Sequence, residues 1–332
     1  MRKLMVAVLA AVLLAGVWSC KKPETGQAKK ITIAVIPKGS THEYWKSIHA
    51  GAVKASQELG VEIIWKGPLK EDDREGQIKV VEDFITRGVS AMVLAPLDDV
   101  ALRSPVNNAT RGGIPVVIID SGLQSEDYVS YVATDNYKGG HMAGEHLCKL
   151  LNGKGKVILL RCYMGSASTL ERERGWSDAM KECPGIQVVM DNQYGGASTE
   201  EAFRVSENML ARLRNPDGSI GLDGVFCSNE STTFGMLLAL QEGGWAGKVK
   251  FVGFDSSTRL TEAMKNGQLD GLILQNPFLM GYLGVKTAVA YLNQQPIAKR
   301  VDTGVTLVTR ENMDQPEIKE LLAPDLKKWL EE

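Results

Sequence analysis

Features that mark many enzymes and nucleic-acid-binding proteins are scarce in this sequence. Its 332 residues include only four histidines and five cysteines, and the cysteine spacings match no zinc pattern. It contains no nucleophile elbow, phosphate-binding loop or dinucleotide fingerprint. The formal net charge of −2 provides no basic surface for nucleic acid. We therefore expect a protein that is not an enzyme and that has no metal site, cofactor or nucleic-acid partner.

The longest apolar run lies at the N-terminus. Two basic residues precede 4-LMVAVLAAVLLAGVW-18, which is short for a membrane span and typical of an export signal. Cys20 follows it, in a position that resembles the lipobox of bacterial lipoproteins, although Trp18 departs from the small residues usual there. Ordinary cleavage without lipid is the alternative. We expect a lipoprotein signal peptide at 1–20, a linker at 21–30, and an exported protein anchored through Cys20 in the periplasm or on the outer face of the cell membrane.

The other four cysteines leave the redox state open. Export permits a disulfide, but the sequence alone assigns no pair among Cys148, Cys162, Cys183 and Cys227. Buried free thiols are the alternative, and we favour that state for Cys227, because it lies in the strand-like segment 223-DGVFCS-228.

From residue 31 onward, short apolar runs alternate with longer amphipathic ones. The apolar runs are continuous and rich in β-branched residues, as in sheets that are covered on both faces. Four strands are predicted at 31–36, 61–65, 91–95 and 115–120, and the pattern then restarts with 156–160, 186–190, 223–226, 249–254 and 270–275. This alternation predicts right-handed βαβ units. We therefore expect an α/β protein with two doubly wound parallel-sheet lobes.

Polar and aromatic residues collect where the predicted strands end, which is where open parallel sheets bind ligands. The first strand is followed by 37-PKGSTHEYWKSIHAGA-52. Later strands are followed by 120-DSG-122, 161-RCYMGSAS-168 leading into 171-ERERG-175, 228-SNES-231, 255-DSS-257 and 275-QNP-277. Carboxylates and amides bond to hydroxyls, and aromatic faces cover apolar C–H surfaces. The mixture predicts a polyhydroxylated ligand.

In their order and spacing these segments resemble the periplasmic sugar-binding proteins of bacterial ABC transporters, most closely the ribose-binding type. The resemblance covers about 31–310 and rests on Asp120 and on 133-ATDNYKGG-140, 171-ERERGW-176, 225-VFCSNE-230, 251-FVGFDSS-257 and 273-ILQNP-277. It implies the type I periplasmic-binding-protein fold, in which three chain crossings form a hinge between two lobes. The first lobe would combine 31–134 with 277–303, and the second would combine 135–276 with 304–332.

The resemblance also implies sugar contacts. Tyr44 and Trp45 occupy the positions of paired aromatics, Asp120 would accept hydroxyl hydrogen bonds, and Arg174 would donate them. A polar rim from the second lobe would complete the site, formed by Asn229, Asp255 and Gln275. Each assignment has an alternative: core packing for the aromatics, a solvated helix face for Arg174, and local capping or backbone contacts for the rim.

Three further candidate ligand-binding residues depart from the family pattern. Ser121 stands where an arginine often follows the aspartate, Lys38 where a small polar residue is usual, and His42 where an asparagine is common. We expect Lys38 to supply the missing cation from the neighbouring side of the cleft. The alternative is that its side chain points to solvent.

This arrangement would balance the charge of the site. With His42 neutral, Lys38 and Arg174 would offset Asp120 and Asp255. A balanced site favours a neutral ligand, so we expect a monosaccharide or polyol other than ribose.

The prediction for the whole chain is an exported solute-binding protein that closes on a small neutral sugar or polyol and delivers it to an ABC transporter permease. A ligand sensor for a membrane receptor would use the same site. A glycoside hydrolase could use Asp120 and Asp255 as an acid–base pair, but flanking cations would keep both ionised. We expect a monomer that contacts the membrane through its lipid anchor.

Overall fold

The computed structural model describes residues 30–40 and 42–330. The predicted signal peptide, including Cys20, and residues 21–29 of the predicted linker lie outside the described residues. From Ile31 onward the chain belongs to one compact unit. No helix within the described ranges combines the length and apolarity that a membrane crossing needs.

The first lobe is built on a six-stranded sheet whose neighbouring strands are all parallel. Its strands are β1 (Thr32–Ile36), β2 (Glu62–Trp65), β3 (Ala91–Leu94), β4 (Val116–Ile119), β5 (Ser130–Ala133) and β11 (Arg300–Asp302), in the order β2-β1-β3-β4-β5-β11. Its helices are α1 (Glu43–Leu59), α2 (Arg74–Arg87), α3 (Arg103–Arg111) and α9 (Pro277–Leu292).

The second lobe repeats this plan. Its strands are β6 (Gly155–Arg161), β7 (Ile186–Tyr194), β8 (Gly224–Cys227), β9 (Lys250–Phe254), β10 (Gly271–Leu274) and β12 (Thr306–Val308), in the order β7-β6-β8-β9-β10-β12. Only the pairing of β12 with β10 is antiparallel. Its helices are α4 (Asn136–Leu150), α5 (Ala167–Lys181), α6 (Thr199–Ala211), α7 (Glu230–Glu242), α8 (Thr258–Lys265) and α10 (Pro316–Leu322).

The central strands of each sheet are buried on both faces, which explains the continuous apolar runs in the sequence. In β1, Ile33 and Val35 pack in one cluster with residues of α1 and α9. Ala34 and Ile36 point to the other face and pack with residues of α2 and α3. Successive side chains of a strand alternate between faces, so a strand covered on both sides has no polar positions.

The chain crosses between the two sheets three times. It passes from β5 to α4, from β10 to α9, and from β11 to β12. This topology confirms the prediction of two doubly wound lobes joined by three crossings. It also places the carboxyl ends of both sets of parallel strands around one cleft.

The C-terminal tail contacts both lobes, which corrects the assignment of all of 304–332 to the second lobe. Ile318 of α10 lies in the core of the second lobe. A short 3-10 helix (Leu326–Lys328) then lies against α1, and the Trp329 ring centroid is 6.3 Å from that of Phe278 in α9. The tail therefore ends on the first lobe, where Trp329 packs beside Phe278.

Two of the four cysteines in the described residues are bonded. Cys148 at the end of α4 and Cys183 after α5 form a disulfide. Cys162 and Cys227 are buried free thiols, so the prediction for Cys227 is confirmed.

Candidate ligand-binding site

A small polar cavity lies between the lobes, where the strands of both sheets end. The first lobe contributes six lining residues: Lys38, His42, Tyr44, Trp45, Glu71 and Asp120. The second contributes eight: Ser166, Ser168, Thr169, Arg172, Asn229, Glu230, Asp255 and Gln275. The structure therefore brings together eight of the ten candidate residues. Ser121 and Arg174 are not in the lining.

Asp120 and Asp255 occupy equivalent places in the two lobes. Each directly follows the fourth strand of its sheet order, β4 or β9. Each also has a left-handed backbone, with φ of 63° at Asp120 and 66° at Asp255. That conformation costs a residue other than glycine on the order of 1 kcal/mol and is concentrated at functional sites. The repeated conformation turns both carboxylates toward the same cavity.

Lys38 lies in the cleft and not in solvent, since only 3% of it is exposed. Its Nζ is 2.9 Å from Asp120 Oδ2 and donates to Ser168 Oγ at 3.0 Å and to Ser166 Oγ at 3.3 Å. Both serines belong to the second lobe. Lys38 therefore neutralises Asp120 and at the same time links the two lobes.

The prediction for Arg174 is wrong, and Arg172 takes the expected place. The side chain of Arg174 is 66% exposed, pairs with Glu171 at 3.7 Å and lies beside the Tyr137 ring. Residues two apart on a helix point to nearly opposite sides, so both arginines of 172-RER-174 cannot face the cavity.

The sequence did contain a signal that separates the two arginines. Trp176 is fully buried, and it lies one helical turn after Arg172 on the same face of α5. A periodicity analysis of α5 would therefore have chosen Arg172.

Arg172 is held by several partners. It donates through Nε to Asn136 Oδ1 at 2.8 Å and through Nη1 to the carbonyl oxygen of Ser228 at 3.0 Å. Nη1 is also 3.6 Å from Asp255 Oδ2, and the guanidinium lies 3.9 Å from the centroid of the Phe254 ring. A buried arginine fixed in this way is preorganised to donate to a ligand.

Glu71, which the sequence analysis missed, fixes the opening segment of α1. It lies in the loop after β2, and its Oε1 is 2.8 Å from His42 Nδ1 and accepts from Trp45 Nε1 at 2.6 Å. Burial would lower the pKa of His42, but the Glu71 charge and hydrogen bond, with Glu230 and Asp255, raise that pKa to about 9. Burial opposes ionisation of Glu71, yet His42, Lys38 and Trp45 hold its pKa below the usual range.

His42 is therefore charged at neutral pH, which corrects the expectation that it is neutral. Three cation–carboxylate pairs surround the cavity: Lys38–Asp120, His42–Glu71 and Arg172–Asp255. A fourth carboxylate, Glu230, also lines it, and burial raises its pKa to about 7. The formal charge is close to balance, but by a different set of residues from the one expected.

The paired aromatics serve both the core and the cavity. Tyr44 and Trp45 pack edge to face, with ring centroids 5.1 Å apart, and both belong to the first-lobe core. Tyr44 Oη donates to Asp120 Oδ1 at 2.7 Å. Both residues therefore pack in the core of the first lobe and also line the cavity.

The rim of the second lobe contains an unused acceptor. Gln275 Nε2 donates to Asp255 Oδ1 at 2.7 Å, while the buried Gln275 Oε1 has no hydrogen-bond partner within the described residues. Asn229 caps α7, accepting from the Thr232 amide at 3.1 Å. Since unsatisfied buried acceptors are costly, Gln275 Oε1 is suited to a ligand hydroxyl.

Ser121 has a different role from the predicted ligand contact. It is fully buried, and its Oγ accepts from the Ser168 amide of the other lobe at 3.1 Å. Further contacts between the lobes surround the cavity, including Arg74 Nη2 to the Met164 carbonyl oxygen at 2.8 Å. The two lobes are therefore in direct contact beside the polar cavity.

Two α/β lobes with one polar cavity between them define the class of two-lobed solute-binding proteins. The chain belongs to the periplasmic binding protein family: the family described as "Periplasmic binding protein domain" matches residues 33–296. This confirms the resemblance found in the sequence. It also confirms that the chain is a binding protein and not an enzyme.

Known proteins of this kind cover most of the chain. The D-ribose/D-allose-binding protein of Pseudomonas aeruginosa is 31% identical over 293 residues, which are 85% of this chain and 89% of that protein. A solved carbohydrate transporter solute-binding protein from Agrobacterium radiobacter, in complex with D-arabinose, has a TM-score of 0.84 and 33% identity, covering 89% of this chain and 100% of that one. An ABC transporter solute-binding protein from Agrobacterium vitis with bound D-fucose has a TM-score of 0.83 and 33% identity, covering 88% and 100%.

Proposed function

We propose that this protein captures a small neutral sugar or polyol between its lobes and delivers it to an ABC transporter permease. The observation that carries the proposal is the polar cavity between the lobes, in which three cations each lie beside a carboxylate. Charged groups that are already paired donate to and accept from hydroxyls without requiring a charged ligand. The similar proteins with bound D-arabinose and D-fucose support a sugar.

The ligand-binding residues in this proposal are eight from the sequence analysis and one from the structure. They are Lys38, His42, Tyr44, Trp45, Asp120, Asn229, Asp255 and Gln275, with Arg172. Glu71 lines the same cavity and bonds to His42 and Trp45. Delivery to a permease is favoured over a sensor role because the similar solved proteins are described as transporter solute-binding proteins. A monomer is proposed, since one chain supplies the whole cavity.

A thermal-shift screen against monosaccharides, polyols and matched sugar acids tests the ligand class. Ligand binding to the folded state raises the unfolding temperature by mass action. We expect at least one neutral sugar or polyol to raise it and the corresponding aldonate to raise it less. A screen in which only acids or phosphates stabilise the protein contradicts the proposal.

We also propose that Cys20 is lipidated and becomes the new N-terminus when the signal peptide that precedes it is removed. The support is the sequence alone, namely an apolar run followed by cysteine. Cys20→Ser is expected to move the protein from the membrane fraction to the soluble fraction, or to leave it unprocessed. A wild-type protein that is already soluble and free of lipid rules out the anchor.

A further inference from the structure

His42 is one of the positions where this sequence departs from the resembling family, and the structure shows what accompanies the change. Its side chain is largely buried at the start of α1, at the edge of the cavity. Nδ1 is 2.8 Å from Glu71 Oε1. Within residues 30–40 and 42–330 the ring bonds to Glu71 through Nδ1, and His42 also lines the cavity, so Nε2 is the ring nitrogen that we assign to a ligand.

Glu71 is itself fixed in position. The same Oε1 accepts from Trp45 Nε1 at 2.6 Å, and the residue is 7% exposed. Glu71 therefore ties two side chains of one helical turn to the loop after β2. An imidazole whose Nδ1 is held by a carboxylate has a fixed ring orientation, and its charged form is favoured.

We propose that Glu71 is a positioning residue that holds His42 as an imidazolium, so that His42 Nε2 donates a charge-assisted hydrogen bond to a ligand oxygen. The ligand class is that of the proposed function, on which this inference rests: a ring or hydroxyl oxygen of a sugar or polyol. The donor is directional and cannot accept, so it selects an oxygen lone pair at that point of the ligand.

Other charged groups also face His42. Glu230 at the start of α7 and Asp255 after β9 approach it from the second lobe, and both raise its pKa. Glu43 is its neighbour on α1, and Lys38 and Arg172 line the same cavity. Of the carboxylates, Glu71 alone is bonded to the ring. The pKa of Glu230, raised by burial to about 7, adds a second titration near neutrality.

The sign of the pH dependence follows from these values. Because the pKa of His42 is raised to about 9, the donor is present throughout the neutral range and is lost as the pH rises through 9. Without the Glu71 charge, burial lowers that pKa, and the donor is lost within the neutral range. Comparing variants in a Glu230→Gln background separates this change from the titration of Glu230.

The experiment is a histidine NMR titration of the purified protein combined with calorimetry. The chain has four histidines, and the resonance that disappears in His42→Gln identifies His42. We expect its pKa near 9, at least one unit lower in Glu71→Gln, and near the wild-type value in Glu71→Asp, which keeps the carboxylate. Affinity for the sugar found by screening should fall at least threefold between pH 6 and 8 in Glu71→Gln and stay level in Glu71→Asp.

Each part of the proposal has its own contradicting result. A His42 pKa that is near 6.5 in the wild type, or that is unchanged in Glu71→Gln, overturns the role of Glu71. A lowered pKa with affinity independent of pH overturns the donor role of His42. If no sugar or polyol binds the wild type at any pH, the proposed function and the donor role both fail, and the NMR titration still decides whether Glu71 sets the charge of His42.

Discussion

At the scale of single residues, the charged side chains of the site are already paired with one another: Lys38 with Asp120, His42 with Glu71, and Arg172 with Asp255. Residues at strand ends could be predicted from sequence because their place in the fold follows from the strand pattern. Glu71 could not be assigned in the same way, because its importance comes from partners distant in the chain, His42 and Trp45. Arg172 could have been assigned from the helical period that it shares with the buried Trp176.

Replacing Lys38 tests whether a buried cation is needed beside Asp120. Lys38→Met leaves the Asp120 carboxylate without the cation 2.9 Å away, and breaking a buried pair typically costs about 3–5 kcal/mol. We expect affinity for the neutral ligand, measured by calorimetry, to fall at least tenfold. Lys66→Met is the matched control, because Lys66 pairs with Asp83 on the exposed surface. Equal affinities in the two variants would show that Lys38 does not contribute to ligand binding.

At the scale of helices and strands, the sequence pattern predicted the strands that are continuous apolar runs and missed those that are not. The fourth strand was expected at 115–120 and is Val116–Ile119, with the sequence VVII. By contrast, β5, β11 and β12 were not predicted, because their sequences, SYVA, RVD and TLV, contain polar residues and form no continuous apolar run. The glycines of 139-GGHMAG-144 now have a structural reason: a Cβ on Gly140 would lie 1.8 Å from the Arg172 carbonyl oxygen, so α4 and α5 pack closely.

The disulfide at the far end of this helix pair yields a stability prediction. Cys148–Cys183 closes a loop with a sequence separation of 35, and such a bond stabilises a fold by about 2–4 kcal/mol. We expect the Cys148→Ser, Cys183→Ser double variant to unfold at a lower urea concentration than the wild type. Its free energy of unfolding should be lower by about that amount. Its ligand affinity should be nearly unchanged, because Arg172 is near the other end of α5. An unfolding midpoint equal to that of the oxidised wild type would show that the bond contributes nothing.

At the scale of the whole molecule, the ligand has to enter a cavity that both lobes cover. Three crossings join the lobes, and Lys38 and Ser121 bond across the cleft when the lobes are in contact. A ligand that bonds to both lobes binds this closed arrangement more tightly than an open one. The difference between the two affinities sets how far the ligand shifts the protein toward the closed arrangement. The tail, which packs on both lobes, could not be predicted from strand and helix patterns.

Small-angle scattering measures this closure. The radius of gyration is expected to decrease when a saturating sugar is added, because hinge closure brings the lobes together. Lys38→Met, titrated to saturation as a control, should show a smaller or incomplete decrease, since it lacks the contact with Ser166 and Ser168. An unchanged scattering profile at demonstrated saturation argues against closure.

The central claim is that a neutral sugar binds in the cavity between the lobes, and calorimetric titration of two arginine variants tests it most directly. Arg172 and Arg174 lie on the same helix, one buried in the cavity wall and the other exposed. Arg172→Ala leaves a buried carboxylate without its partner, a change that costs about 2–5 kcal/mol, which corresponds to a loss of about 1.5 to 3.5 decades in affinity. We expect that loss for Arg172→Ala and wild-type affinity for Arg174→Ala. A loss below threefold for Arg172→Ala, or a larger loss for Arg174→Ala, would be evidence against sugar binding in this cavity.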